Sequence, residues 1–353
     1  MKFHSYLFCS LVMICFLSLC IHGNAQFSLS GQLRARAEFR NGQGAPIPRD
    51  ADPAIFISQR SRLNLEFNTY RLKFGLSVQD VRVWGQDVST INRTTTQNNN
   101  GFMLHEAWAQ IGITDTTNKK ENLTVKLGRQ ELILDDHRLI GNLDWLQQAR
   151  HHDAILFKYI RQKLTAQAGA AFNQNKENSI GSIYTAVSPG NYAMNSNGGT
   201  MYKSFEFLHL SRKLKAGSVS VLFFSDQFNR YRLDSAGNKL WSKGAWSRFT
   251  TGIYFTNTIN RISLTGAGYY QGGSTADNQK LSAVLLSANI IYNAGKKFSA
   301  GPGFDYTSGG KSATKSHAFD PLYGTPHKFW GLMDYFYAAN TFGNKGLQDF
   351  YIK

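Results

Sequence analysis

The chain has 353 residues, a formal charge of +16 and 13% aromatic residues, with 32 glycines. That charge points to an anionic partner, and an export signal at the N-terminus argues against nucleic acid. All three cysteines, Cys9, Cys15 and Cys20, precede residue 26, so the mature chain has no disulfide and is held by its fold alone.

Met1-Lys2 supplies a positive start, and 7–21 is an apolar run too short to span a bilayer. Gly23-Asn24-Ala25 has the small residues of a cleavage site, so 1–25 reads as a signal peptide. A lipoprotein signal ending at Cys20 is the rival, but Leu19 stands where a small residue is wanted. Removing Lys2 lowers the formal charge from +16 to +15. No later window is apolar enough for a transmembrane helix, and no Pro- or Ser-rich linker divides 26–353, which reads as one domain.

The mature chain alternates with period 2. In 28–40, Leu29, Gly31, Leu33, Ala35, Ala37 and Phe39 stand opposite Ser30, Gln32, Arg34, Arg36, Glu38 and Arg40. Next, Ile55, Ile57, Leu63, Leu65 and Phe67 face away from Ser58, Arg60, Arg62, Asn64 and Glu66. Leu72, Phe74, Leu76 and Val78 then oppose Arg71, Lys73, Ser77 and Gln79. Similar segments are read at 102–114, 122–130, 153–160, 163–173, 202–212, 217–228, 246–257, 260–271, 280–293 and 296–307. Many have the length a tilted strand needs to cross a bilayer.

Short connections alternate with long ones, the long being 41–53, 84–101, 133–152, 174–201, 229–245, 272–279 and 308–328. This is the pattern of an all-β, antiparallel, up-and-down outer-membrane barrel of the porin type, apolar outside and charged within. Trp84, Trp108, Trp246, Tyr254, Tyr269, Tyr270 and Tyr292 fall near segment ends, as interfacial girdles do. An inward strand at 328–339 and an outward one at 347–353 bring the reading to about 15 strands. An odd count, with a last strand cut short, predicts a C-terminally incomplete barrel.

On this scaffold Arg34, Arg36, Arg40, Arg60, Arg62, Arg71, Lys73 and Lys126 point inward, interspersed with Glu38, Glu66 and Glu106. Arginine's planar fork suits carboxylate or phosphate, so the set reads as an anion path braced by ion pairs. The densest polar stretch is 127–154. Asp135-Asp136 invites a catalytic or calcium reading, and His151-His152 a metal one, but neighbours on a strand point to opposite faces. The reading preferred is a long loop folded inward, in which Asp135, Asp136 and Asp153, with Glu131 nearby, brace Arg129, Arg138 and Arg150. No catalytic residue, metal site or cofactor is assigned, and no GxSxG, HExxH, P-loop or dinucleotide fingerprint is present.

The segment Leu127-Gly128-Arg129-Gln130-Glu131, the turn Asp135-Asp136-x-Arg138-Leu139-Ile140-Gly141, Trp145 with Gln147-Gln148-Ala149-Arg150, and Asp153-Ala154 resemble the alginate-export family of outer-membrane proteins. So do Phe319-Asp320-Pro321-Leu322-Tyr323-Gly324-Thr325, His327-Lys328-Phe329-Trp330-Gly331 and Asp334-Tyr335-Phe336. The resemblance implies an 18-strand monomeric barrel with an arginine-rich lumen passing a polyuronate. It carries the selectivity role onto Arg129, Arg138 and Arg150, and by strand position onto Arg34, Arg36, Arg60 and Arg62. The function read from sequence is a passive channel for an anionic oligo- or polysaccharide, set in outer-membrane lipid and served by periplasmic export or uptake partners. The alternatives are a barrel enzyme acting on polysaccharide or lipid, and a general anion porin.

Overall fold

A computed structural model describes residues 26–42, 46–86, 101–115, 117, 120–174, 177, 179–181, 202–295, 297–331 and 345–353. The signal peptide and its cysteines lie outside the described residues. Twelve long strands follow one another: β1 (Gln26–Arg40), β2 (Ala54–Asn68), β3 (Leu72–Val83), β4 (Phe102–Gly112), β5 (Glu121–Gln130), β6 (His152–Arg161), β7 (Leu164–Phe172), β8 (Ser204–Lys213), β9 (Gly217–Leu233), β10 (Lys239–Ile259), β11 (Ile262–Ser274) and β12 (Lys280–Asn293). Then come β13 (Ser299–Ala300), β14 (Pro302–Thr307), β15 (Lys315–Ser316) and β16 (Leu347–Ile352). Each of the twelve pairs antiparallel with the next, β14 continues from β12, and β16 pairs with β14, giving a path of fourteen strands in sequence order. In lipid this continuous ladder is what satisfies the backbone.

Alternation builds the wall. Leu33, Phe39, Ile55, Phe74, Leu127, Phe223, Ile253, Leu286 and Ile290 are exposed on the outer face, whereas Arg60, Ser77, Gln79, His105 and Gln130 are buried on the inner one. Connections at one end are short, such as that between β6 and β7, while 131–151 and 308–346 are long and at the other end. We call these the turn end and the loop end.

Several expectations change. The connection read at 229–245 is mostly strand, because β9 and β10 run on to a five-residue hairpin at 234–238. There Asp234 Oδ1 accepts from the backbone N–H of Ala236 and Asn238, at 2.9 and 2.7 Å. The strand read at 328–339 begins instead with a 3-10 turn, Pro326–Lys328, and buried Trp330; 332–344 lie outside the described residues. β16 hydrogen-bonds directly to β14 and antiparallel to it, so 347–352 runs toward the turn end, and the described path is even-numbered. Of the girdle aromatics, Trp84, Tyr270 and Tyr292 are exposed. Tyr269 and Tyr254 instead pack into the inner core, because strand parity puts them on the inward face.

Candidate functional site: two segments folded into the barrel

The barrel interior is not uniformly wet, as the alternation had suggested. Residues 131–151 and 319–330 fold inside it and bring their own apolar side chains. Leu132, Leu134, Leu139, Ile140, Phe319, Leu322, Tyr323 and Trp330 form one core with Phe205, Phe207, Leu222, Phe224, Tyr269, Leu281 and Leu285 from the inner face of β8, β9, β11 and β12. Burying these groups excludes water from that side of the lumen.

The two segments hold each other. Ile140 and Tyr323 form a parallel bridge. The N–H of Gly141 donates to Tyr323 O (3.0 Å), that of Tyr323 to Leu139 O (2.9 Å) and that of Thr325 to His137 O (2.8 Å). A side chain at Gly141 would collide with the Thr325 hydroxyl and His137, so glycine is required for the close approach. Asp135, His137, Leu143 and Ala149 take positive φ, an unusual concentration for non-glycine residues, sustained by these surrounding bonds.

The β1–β2 wall is a polar seat for 144–148. Arg34 donates to Asp144 O (2.7 Å), Leu146 O (2.8 Å) and Gln147 Oε1 (2.9 Å). Arg36 donates to Trp145 O (3.1 Å), and its guanidinium sits 4.7 Å from the Trp145 ring centre. Arg60 is fully buried; it reaches Asp144 Oδ1 at 2.7 Å and Gln147 O at 3.3 Å. Arg62 bonds Gln79 Oε1 (2.8 Å) and lies 3.6 Å from Asp144 and 3.9 Å from Glu131. Forked donors thus satisfy carbonyls of a segment that forms no regular secondary structure.

Against β12 and β14, Arg138 donates to Asp305 Oδ1 (2.9 Å) and Ser287 Oγ (3.0 Å), lies 3.4 Å from Asp136, and stacks 3.9 Å from the Phe329 ring centre. Arg248 clamps Asp226 at 2.6 Å and Asp320 at 2.9 Å, and the Tyr323 hydroxyl donates to Asp226 (2.9 Å). Trp145 stacks on His327 with ring centres 3.8 Å apart, tying the two segments together.

The acids of 131–151 divide their work differently from the expectation. Asp136 does meet Arg138. Asp135 meets no arginine; it accepts from the Ser220 hydroxyl (2.6 Å) and lies 3.0 Å from His209 Nε2. Glu131 is held by His105 (2.8 Å) and Asn142 (2.7 Å). Arg129 pairs with Asp153 at 2.8 Å, but on the outer face of the wall, not in the lumen. It shares the parity of exposed Leu127, whereas Gln130 points inward. Arg150 is partly buried and donates to Gly324 O. His151 packs edge-on to His105 and His152 bonds the Tyr202 hydroxyl (2.8 Å), so the two point to different partners. Among the described residues no group of three or more His, Cys, Asp or Glu could hold a metal ion.

Burial alone would raise the Asp144 carboxyl, but the Arg60 hydrogen bond and the charges of Arg60, Arg62 and Arg34 hold it below the ordinary carboxylate value. Glu131 is likewise lowered against burial by its bonds to His105 and Asn142. Burial brings Arg150 down to about 10, leaving it charged at neutral pH, and takes His151 down to about 4. Sequence reasoning gave no role to Asp144, Asp305, Asp226 or Arg248. Asp144 sat inside the densest stretch, which was the one signal available for it.

A continuous antiparallel wall with an apolar outer face, long loops at one end and segments folded into the lumen is an outer-membrane β-barrel of the porin class. The chain belongs to the alginate export family, whose model matches residues 25–342. No curated protein matches it in sequence. Among solved structures it is similar to a BenF-like porin from Pseudomonas fluorescens Pf-5, at 12% identity, with 83% of this chain and 70% of that one covered and a TM-score of 0.50. OmpF of Salmonella typhi, in complex with daunomycin, aligns at 10% identity over 84% of this chain and 83% of its own, with a TM-score of 0.46. The family and the fold are those of an outer-membrane channel.

Proposed function

We propose that the protein is a passive, monomeric channel for an anionic oligo- or polysaccharide of the polyuronate type. The observation that carries this reading is the β1–β2 wall. There Arg34, Arg36, Arg40, Arg60 and Arg62 gather against Glu38, Asp144 and Glu131, leaving an excess of positive charge where 131–151 enters the lumen. Guanidinium forks replace lost hydration around carboxylates, so this wall would favour anions over cations. Arg138 and Arg150 act one step behind it, by fixing the inserted segments that define the opening. No nucleotide fingerprint is present in the sequence, so flux follows the gradient or an external partner.

The test is conductance of the full chain in planar bilayers. A reversal potential on the anion side, with current blocked by oligouronates, is the expected result. Cation preference without oligouronate block would refute the reading. Anion preference without block would make the protein a general anion porin.

A further inference from the structure

The arginines of the seat are engaged with the inserted segments, but another set of inward-facing cations is not. Lys73 on β3 stands opposite Gln110 on β4, and Gln110 opposite Lys126 on β5, in one cross-strand row. On β6, Lys158 stands opposite Thr124, one inward step from Lys126, and on its other side opposite Gln167 of β7. Among the described residues none of these three lysine side chains makes a hydrogen bond or an ion pair. The Lys126 ammonium instead sits 3.9 Å from the centre of the Trp108 ring.

Trp108 was expected in an interfacial girdle. Strand parity turns it inward with Glu106 and Gln110, and its indole lies over its cross-strand partner Gly75, in the space a side chain there would fill. Its indole N–H donates to no described residue. The neighbouring acids are partly committed: Glu106 accepts from the Glu131 N–H (3.0 Å), and Glu131 is held by His105 and Asn142. Glu66, opposite Gly75, carries the remaining nearby negative charge.

We infer that Trp108 with Lys73, Lys126, Lys158 and Gln110 forms a second binding station in the lumen, for a single carboxylated pyranose unit. It lies on the turn-end side of the arginine seat and takes the same substrate class, so it rests on the function proposed above. An aromatic ring receives the C–H face of a sugar, ammonium groups take the carboxylate, and side-chain amides take hydroxyls. The Lys126 ammonium moves from the ring to the carboxylate as the sugar arrives, exchanging a cation–π contact for a charge-assisted bond.

The test is the residence time of a short oligouronate in single-channel recordings of the full protein, with a neutral oligosaccharide of equal length as comparison. Trp108→Ala and Lys126→Gln each shorten the uronate residence time by roughly tenfold, while Trp108→Phe and Lys126→Arg largely restore it. The reversal potential of Trp108→Ala, which alters no charge, does not move. Loss of uronate block in Trp108→Ala that Trp108→Phe fails to restore would mark a structural role and overturn the station. Unchanged residence times in Trp108→Ala and Lys126→Gln would overturn the station and leave the proposed channel standing. No uronate block of the unsubstituted protein would overturn both.

Discussion

If the β1–β2 wall fastens 131–151, removing its most buried cation should release it. Arg60 has a side-chain exposure of 1% and meets Asp144 at 2.7 Å, Gln32 at 3.1 Å and the Gln147 carbonyl at 3.3 Å. Replacing it with Met keeps bulk and removes every donor. Removing one partner of a fully buried pair costs about 3–5 kcal/mol. Asp144 is 41% exposed and keeps Arg34 and Arg62, each at 3.6 Å, so the cost here falls to about 2–3 kcal/mol. That shifts the ratio of detached to seated segment by roughly 30- to 150-fold. In single-channel recordings Arg60→Met should show larger mean conductance and frequent steps between levels. Adding Arg34→Ser should extend the effect. A heat-modifiable, correctly folded Arg60→Met barrel with unchanged conductance and noise would refute the idea that this wall holds the segment.

Arg138→Ala leaves Asp305 buried without its partner and should cost about 3–5 kcal/mol, read as a lower unfolding temperature in detergent, with Asp305→Asn on top recovering part of the loss. Phe205→Ala, which opens a hole between the β8 wall and Tyr323, should cost about 3–5 kcal/mol by the same measurement. His151 supplies a pH dependence. Burial depresses its folded value to about 4, so the unfolded chain binds the proton more readily. Stability is therefore full above the unfolded value near 6.5 and falls as pH drops toward 4, by at most roughly 3 kcal/mol. His151→Phe should flatten that part of an unfolding-versus-pH curve, and an unaltered curve would exclude the histidine as its source.

Much of the wall was legible in the sequence. Period-2 alternation placed Arg34, Arg36, Arg60 and Arg62 on the inner face, where the structure has them, and that came from parity alone. Arg129 was placed in the lumen by the family resemblance and the reading of an inward-folded loop, against the parity of Leu127, and parity prevailed. The dry half of the interior also had a signal. In β8 and β9, Phe205, Phe207 and Phe224 alternate with Leu208, Leu210 and Phe223, so both faces are apolar, as strands covered on both sides tend to be. What spacing could not supply was pairing across the lumen. Arg138 and Asp305 are 167 residues apart, and Arg60 and Asp144 are 84 apart. Such contacts depend on where two irregular segments come to rest, which neither alternation nor local propensity encodes.

The bridge between Ile140 and Tyr323 orders events during biogenesis. Most of the polar seat for 131–151 comes from β1 to β6, so it exists once the first half of the chain has been assembled into the membrane. The apolar side of that segment has no complete cover until 319–330 has been brought in. Until then Leu132, Leu139 and Ile140 face an unfinished interior. Completion of the lumen is therefore tied to late assembly of the wall, a long-range dependence of the kind that slows folding.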